Sequence, residues 1–346
     1  MSSEMDYGEI EQVLQEIMGE PVNFGELVSK LLDGGNFFSF GKWIRLIGEM
    51  VIGQLRNHGQ TIGYLLLLIV SAAVLSAIAK AFRNRQISDM GFYMIYLLLF
   101  LIMMRSFGNC YTLTENVITD LVSFMKALMP AYLMAAAVSA YQTSAVLYYE
   151  GFLFVIYYLQ KIVSVVLLPA IRGYVLISML GHLGKEEFLE KGRKGLKKLI
   201  LWMLKTMIGV SAGFQMIQGM ITPAIDEWKQ TAISKGISSM GNLGNLMGNA
   251  SEVLLGSGVL LKNGIGAAAA VSLIGICLVP AVYAGCYALF YQVLAAVSEP
   301  VSDARLTKAI DQMGEGIGLL VKLLFTVCTM FLLTLAIVCM TTGGMR

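Results

Sequence analysis

Residues 317–340 read IGLLVKLLFTVCTMFLLTLAIVCM, and the only charge in this stretch is Lys322. About 20 apolar residues in a helix are enough to cross the hydrocarbon core of a bilayer. Residues 62–82, 91–109 and 199–220 form similar runs. Because every backbone polar group in lipid must be paired within its own segment, we predict that all four runs are transmembrane helices. A β-barrel would need alternating polarity, which these runs lack.

The composition of the whole chain agrees with a membrane protein. Of its 346 residues, 57% are hydrophobic and only 14% are charged, and the mean hydropathy is +0.71. A soluble domain carries about 25% charged residues. The sequence therefore predicts an all-α, polytopic integral membrane protein. The formal net charge of +2, with no basic patch interleaved with aromatics, gives no reason to expect nucleic acid as a partner.

No pattern of residues predicts a metal, a cofactor or catalysis. The five cysteines form no CxxC or Cys/His cluster, and His58 and His182 have no ligand partner at helical spacing. Motifs for a P-loop, a zinc protease or a serine hydrolase are absent from the sequence. We predict that the chain is not an enzyme, and that ATP-driven work would need a separate ATPase.

The first 60 residues differ from the rest. They hold nine acidic and four basic residues, and Ile10, Val13, Leu14 and Ile17 follow helical spacing. We predict an amphipathic helical segment over residues 1–60, either lying in the membrane interface or capping the membrane domain. Residues 184–198 hold six basic and three acidic residues, which predicts a cytoplasmic loop. Lys80, Arg83 and Arg85, where the apolar run over residues 62–82 ends, predict a cytoplasmic turn, which places the N-terminal segment on the other side of the membrane.

An internal repeat divides the membrane part. Leu168-Pro169-Ala170 and Val279-Pro280-Ala281 each fall in a long apolar run, and Gly195 and Gly316 each open the next run. We predict a transmembrane hairpin over residues 61–116, a first repeat over residues 117–220 and a second over residues 221–346.

Three prolines are candidate helix breaks because proline removes a backbone donor and clashes with the preceding turn: Pro130, Pro169 and Pro280. Residues 145–183 and 258–297 are too long for one straight crossing, so each is either a kinked helix or two helices. The glycine-rich residues 233–255 suit a re-entrant hairpin or a segment buried in protein. The number of crossings stays open between six and ten.

Charges inside membrane segments are candidates for function because they are costly there. The candidates are Glu150, Lys161, Arg172 and Lys262. Snorkelling accounts for Lys205 and Lys322. Two pairs of glycines have the spacing of close-packing motifs, within one chain or between copies in a homo-oligomer: Gly209 with Gly213, and Gly244 with Gly248.

A family resemblance rests on several short stretches. Val259-Leu260-Leu261-Lys262-Asn263 precedes an apolar run to Pro280-Ala281. Further matching stretches are Lys42-Trp43-Ile44, Leu128-Met129-Pro130, Leu168-Pro169 and Gly343-Gly344-Met345-Arg346. From about residue 10 to its end, the chain resembles the stage III sporulation protein AE family of endospore-forming bacteria.

This resemblance implies a role that the residues alone do not give. It implies a location in the mother-cell membrane around the engulfed forespore, within an eight-protein set. As a membrane protein, the chain is expected to contact membrane lipid. The resemblance implies an ATPase and ring-forming proteins of that set as partners, and the set forms a secretion-like channel. Two alternatives stay open: a self-sufficient secondary transporter or channel for a small solute, with a site near Lys262 or Glu252, and a non-conducting membrane scaffold.

Overall fold

Long helices make up the part of the chain that the structure, a computed structural model, describes. That part comprises residues 7–18, 23–32, 63, 67, 70–71, 85–138, 142–181, 187–237, 243–300 and 303–341. The helices are α1 (Gly8–Met18), α2 (Phe24–Leu32), α3 (Arg85–Val138), α4 (Gln142–Ile162), α5 (Leu168–Leu180), α6 (Glu187–Ile237), α7 (Leu243–Ser298) and α8 (Ala304–Thr341). A π-helix, Val163–Leu167, joins α4 to α5.

Five of these helical stretches are long and apolar enough to cross a membrane. Within the described ranges they are Met90–Tyr132, Leu153–Leu180, Leu189–Ile217, Asn263–Ser298 and Ala304–Cys339. They confirm the predicted all-α, polytopic membrane fold. The predicted span over residues 62–82 lies almost entirely outside the described residues.

Two antiparallel hairpins form the main body. In the first, α4 and α5 lie antiparallel to α6, and the ring of Phe154 on α4 lies 6.0 Å from that of Phe214 on α6. In the second, α7 runs back along α8, and the Cys277 thiol approaches the Leu324 carbonyl at 3.8 Å. The second helices of the two hairpins, α6 and α8, lie side by side and run in the same direction. Same-direction copies would give this arrangement, and the repeat itself stays a prediction.

Helix α3 packs against both hairpins and helps to close the core. The Tyr96 hydroxyl donates to the Met179 carbonyl of α5. Tyr132 of α3, Tyr174 of α5 and Tyr291 of α7 are completely buried. Such large rings fill the space between helices and bury much apolar area.

The N-terminal helices cover one part of this body. Ile10 and Leu14 of α1 and Phe24 and Val28 of α2 are buried, at the spacing expected for one face of a helix. A Cβ on Gly264 of α7 would come within 3.0 Å of Leu32. Helices α1 and α2 are therefore amphipathic, and their apolar faces pack on protein.

The helices pass through the prolines that the sequence marks as breaks. Pro130 lies inside α3 and Pro280 lies inside α7. Pro169 lies in the first turn of α5, where a missing backbone donor costs little, directly after the π-helix. Separate helices before and after these prolines are therefore not confirmed. The residues predicted to form a re-entrant hairpin are largely the end of α6 and the start of α7.

Candidate functional site

A polar junction joins the two hairpins near the start of α6 and α8. It consists of Tyr174, Lys197 and Glu315, with Arg193 and Asp311 beside them. Glu315 Oε2 accepts a hydrogen bond from the Tyr174 hydroxyl at 2.7 Å and another from Lys197 Nζ at 2.9 Å. One carboxylate oxygen therefore ties together three helices, α5, α6 and α8.

The surroundings of the junction make these contacts stronger than ordinary surface pairs. The side chains of Lys197 and Glu315 are 35% and 31% exposed. Arg193 interacts electrostatically with Glu315 and hydrogen-bonds Tyr174. Partial burial reduces solvent screening, and hydrogen bonds to a charged acceptor are stronger than neutral ones. The junction fixes the spacing between the two hairpins at the ends where α6 and α8 begin.

A glycine next to the junction sets how closely the helices approach. The Cβ of an alanine at Gly316 would overlap the side chain of Val175 on α5. Only a residue without a side chain lets α5 and α8 meet at this distance. The close approach is what brings Tyr174, one residue before Val175, within reach of Glu315.

A second polar group lies deep between α6 and α8. Gln215 is 4% exposed, and its Nε2 donates to Ser211 Oγ at 3.2 Å and to Thr334 Oγ1 at 2.5 Å. Thr334 donates in turn to the Met330 carbonyl at 2.7 Å. The Gln215 Oε1 atom is buried and has no hydrogen-bond partner in the structure. We call Ser211, Gln215 and Thr334 the amide cluster.

The charges singled out from the sequence do not come together. Lys161 is exposed on α4 and its ammonium lies 5.6 Å from the centre of the Tyr157 ring. Arg172 is exposed on α5 and lies 5.9 Å from the centre of the Tyr111 ring of α3. Glu150 lies in α4 and Lys262 in α7, and the surroundings of their side chains are outside the described part of the chain.

The glycine pairs lie on α6 and α7. A Cβ at Gly209 or Gly213 would meet no atom within 4 Å, so neither is at a close contact with another described residue of the chain. Gly244 and Gly248 lie in the first turns of α7. Among the described residues, no group of three or more His, Cys, Asp or Glu side chains is placed to hold a metal ion.

Sequence reasoning missed both the polar junction and the amide cluster. Glu315 lies just outside the predicted span over residues 317–340, and its partner Tyr174 is 141 positions away. Gln215 is a polar residue inside an apolar run, which is the one signal that marks the amide cluster in the sequence. Its partner Thr334 is 119 positions away, so only the packing of α6 on α8 shows the cluster.

Four apolar spans in two hairpins, a fifth in α3 and a covering N-terminal segment define a polytopic, all-α integral membrane protein. The family model of Stage III sporulation protein AE matches residues 22–342, and the chain belongs to that family. Stage III sporulation protein AE of Bacillus subtilis (strain 168) is 22% identical over 313 residues, which cover 89% of this chain and 78% of the relative. No solved structure matches the chain. Family membership implies a role in sporulation.

Proposed function

We propose that this chain is the polytopic membrane subunit of a secretion-like channel apparatus between the mother cell and the forespore, needed for endospore formation. The observation that carries the proposal is the family match over residues 22–342, which covers the N-terminal helix α2 and all five candidate spans. The chain would be a non-enzymatic component, with an ATPase and ring-forming proteins of the stage III sporulation complex as partners.

The proposed orientation places the polar junction on the cytoplasmic side of the mother-cell membrane. Basic residues favour the cytoplasmic side, and residues 184–198 hold six of them. Helices α1 and α2 would lie on the opposite side and dock partners between the two membranes. A cytoplasmic ATPase would then meet the ends of α6 and α8 that the junction holds together.

Cysteine labelling in sporulating cells tests this orientation. In a cysteine-free background, Glu190→Cys and Lys308→Cys report on the junction end, and Gln12→Cys reports on α1; all three positions are exposed. A membrane-impermeant maleimide, added before engulfment closes off the space between the two membranes, is expected to label position 12 only. Labelling of 190 and 308 from outside the mother cell would reverse the orientation and remove the proposed ATPase-facing surface.

Any polar conduit would run between subunits. Among the described residues the buried polar side chains are all uncharged, and the interior of the hairpins is otherwise apolar. Lys161 instead lies exposed on the outer face of α4, about 20 Å along the helix from Tyr174. Charged residues in membrane segments usually face protein or a water-filled cavity. The strip of α4 formed by Lys161 and Tyr157 is therefore the proposed wall of the conduit.

The packed apolar interior also supports a second candidate function, a non-conducting membrane scaffold. The two candidates differ in whether water reaches Lys161. Hydrophilic thiol reagents are expected to label Lys161→Cys in cells with the complete complex if the face lines a conduit. Val210→Cys, on an exposed apolar face, is the control that lipid should protect. Equal protection of both positions would favour the scaffold.

The family role itself is tested in a strain that lacks the protein. Expression of the wild-type chain is expected to restore heat-resistant spores. Pro169→Ala and Pro280→Ala test whether the local shape of these helices matters for the role. Full sporulation in both variants, at normal protein levels, would remove the prolines from the proposal without touching the family assignment.

A further inference from the structure

An apolar groove opens on the outer surface of the first hairpin, between α4 and α6. Its volume is about 300 Å³, and Met330 of α8 also lines it. Its walls are two rows of residues spaced four apart: Phe154, Tyr158 and Ile162 on α4, and Trp202, Thr206, Val210 and Phe214 on α6. Residues four apart share one face of a helix, so the groove runs along the helix axes.

The size and position of the groove indicate what can fill it. It lies within the candidate spans Leu153–Leu180 and Leu189–Ile217, so it opens into lipid hydrocarbon. One turn of an α-helix, about 10 Å wide and 5.4 Å long, occupies about 400 Å³. A groove of about 300 Å³ that extends over several turns is therefore too narrow for a helix of another protein and suits a single hydrocarbon chain.

A cation lies at one end of the groove. Lys198 is exposed and continues the α6 row four residues before Trp202. Its neighbours are paired, Lys194 with Glu190 at 2.6 Å and Lys197 with Glu315 at 2.9 Å. Lys198 has no carboxylate partner among the described residues. Trp202, 60% exposed, lies below it in the position that tryptophan favours at the membrane interface.

We propose that the groove binds one acyl chain of an anionic phospholipid, with the lipid phosphate beside Lys198. The twelve residue steps from Lys198 to Val210 span about 18 Å of helix, and one leaflet contributes about 15 Å of hydrocarbon. An acyl chain that starts at the level of Lys198 therefore reaches the middle of the groove. The charge of Lys198 would select anionic over zwitterionic lipids.

Fluorescence quenching by brominated lipids tests the proposal directly. The full chain contains three tryptophans, and Trp43→Phe with Trp228→Phe leaves Trp202 as the reporter. The protein is reconstituted in phosphatidylcholine vesicles that contain a small fraction of acyl-brominated phosphatidylglycerol or acyl-brominated phosphatidylcholine. We expect brominated phosphatidylglycerol to reach half-maximal quenching at a fraction about fivefold lower than brominated phosphatidylcholine, because the attraction of one lysine to anionic lipid corresponds to about that ratio of affinities.

Two variants and two matched controls separate the groove from general lipid contact. Lys198→Gln is expected to abolish the preference for phosphatidylglycerol, and Val210→Phe is expected to weaken quenching by both lipids. Lys322→Gln and Val293→Phe make the same changes at exposed positions on α8 and α7, and both should behave as wild type. Equal quenching by the two lipids in wild type, unchanged quenching in Val210→Phe, or no quenching at all would overturn the proposal.

Discussion

Lys197 Nζ lies 2.9 Å from Glu315 Oε2, and the two residues occupy equivalent places near the start of the parallel helices α6 and α8. The apolar stretches of the two helices, residues 199–220 of α6 and 317–340 of α8, begin just beyond this pair. The pair therefore marks the level at which each hairpin changes from a polar end to a membrane-spanning part. Because Tyr174 of α5 bonds the same oxygen, a change at Glu315 affects three helices together.

Removal of the Glu315 charge should loosen the polar junction. Glu315→Gln is expected to lower the free energy of unfolding by about 1–2 kcal/mol, because it weakens two charge-assisted hydrogen bonds of a partly solvated group. Thermal unfolding in detergent micelles measures the loss. Lys322→Gln, which changes an exposed charge on the same helix, is the control and should alter stability little. Equal losses in the two variants would contradict a special role for the junction.

Glycine at position 316 is required for the close approach of α5 and α8. Gly316→Ala should cost about 1–3 kcal/mol, because the new methyl group overlaps Val175 in a packed interface. Gly318→Ala is a matched control, since its Cβ would meet nothing within 4 Å and the better helix propensity should stabilise by about 0.5–1 kcal/mol.

A second-site change tests the origin of the Gly316→Ala effect. Val175→Ala, added to Gly316→Ala, removes the overlapping atoms and should recover much of the lost stability. Thermal unfolding of the wild type, Gly316→Ala, Val175→Ala and the double variant provides the comparison. A Gly316→Ala protein as stable as Gly318→Ala would show that α5 and α8 are farther apart than the structure places them.

Two buried thiols provide a direct test of how α7 packs on α8. The side chains of Cys277 and Cys328 hydrogen-bond each other, so their sulfur atoms are neighbours. In a protein with the other three cysteines replaced by alanine, oxidation by membrane-permeable iodine is expected to form an intramolecular disulfide. Thiol counting by mass spectrometry after denaturation measures it. If both thiols of the folded protein stay free under conditions that fully oxidise an unfolded control, α7 and α8 pack in a different register.

The amide cluster should contribute little to stability. Gln215→Leu removes two hydrogen bonds but also removes the buried Oε1 atom that has no partner, and Thr334 keeps its bond to the Met330 carbonyl. The net change should stay within about 1 kcal/mol, since polar contacts between membrane helices are weak on average. Thr334→Val should cost more than Gln215→Leu, because it leaves the buried Gln215 amide without one of its acceptors. The reverse order in thermal unfolding would contradict this account of the cluster.

The sequence predicts the apolar part of α8 well and its beginning poorly. The span predicted over residues 317–340 lies inside the observed Ala304–Thr341. Arg305, Lys308, Asp311 and Glu315 lie outside the predicted span, and their charges are not typical of a transmembrane helix. In the structure these charges lie on a continuing helix, and Glu315 pairs with Lys197 of α6. Only the tertiary contact shows why a charged stretch stays helical here.

Helix α3 shows the opposite error, because one helix was predicted as several. Residues 110–120 are more polar than their neighbours, so the sequence suggested an end at Asn109 and a new segment at Val117. No glycine or proline separates these segments, and the Thr114 hydroxyl donates to the Cys110 carbonyl within the helix. Polarity alone therefore did not end the helix, and α1 packs against α3.

The π-helix between α4 and α5 acts as a spacer that fixes the rotation of one helix against the other. Each residue of an α-helix advances the face by about 100°. A π turn holds one residue more than an α turn, so if the same residues Val163–Leu167 were wound as ordinary α-helix, α5 would be rotated by about that angle. Tyr174 would then point away from Glu315. The winding of this short segment, more than the chemical identity of its residues, therefore decides whether the two hairpins can join at the polar junction.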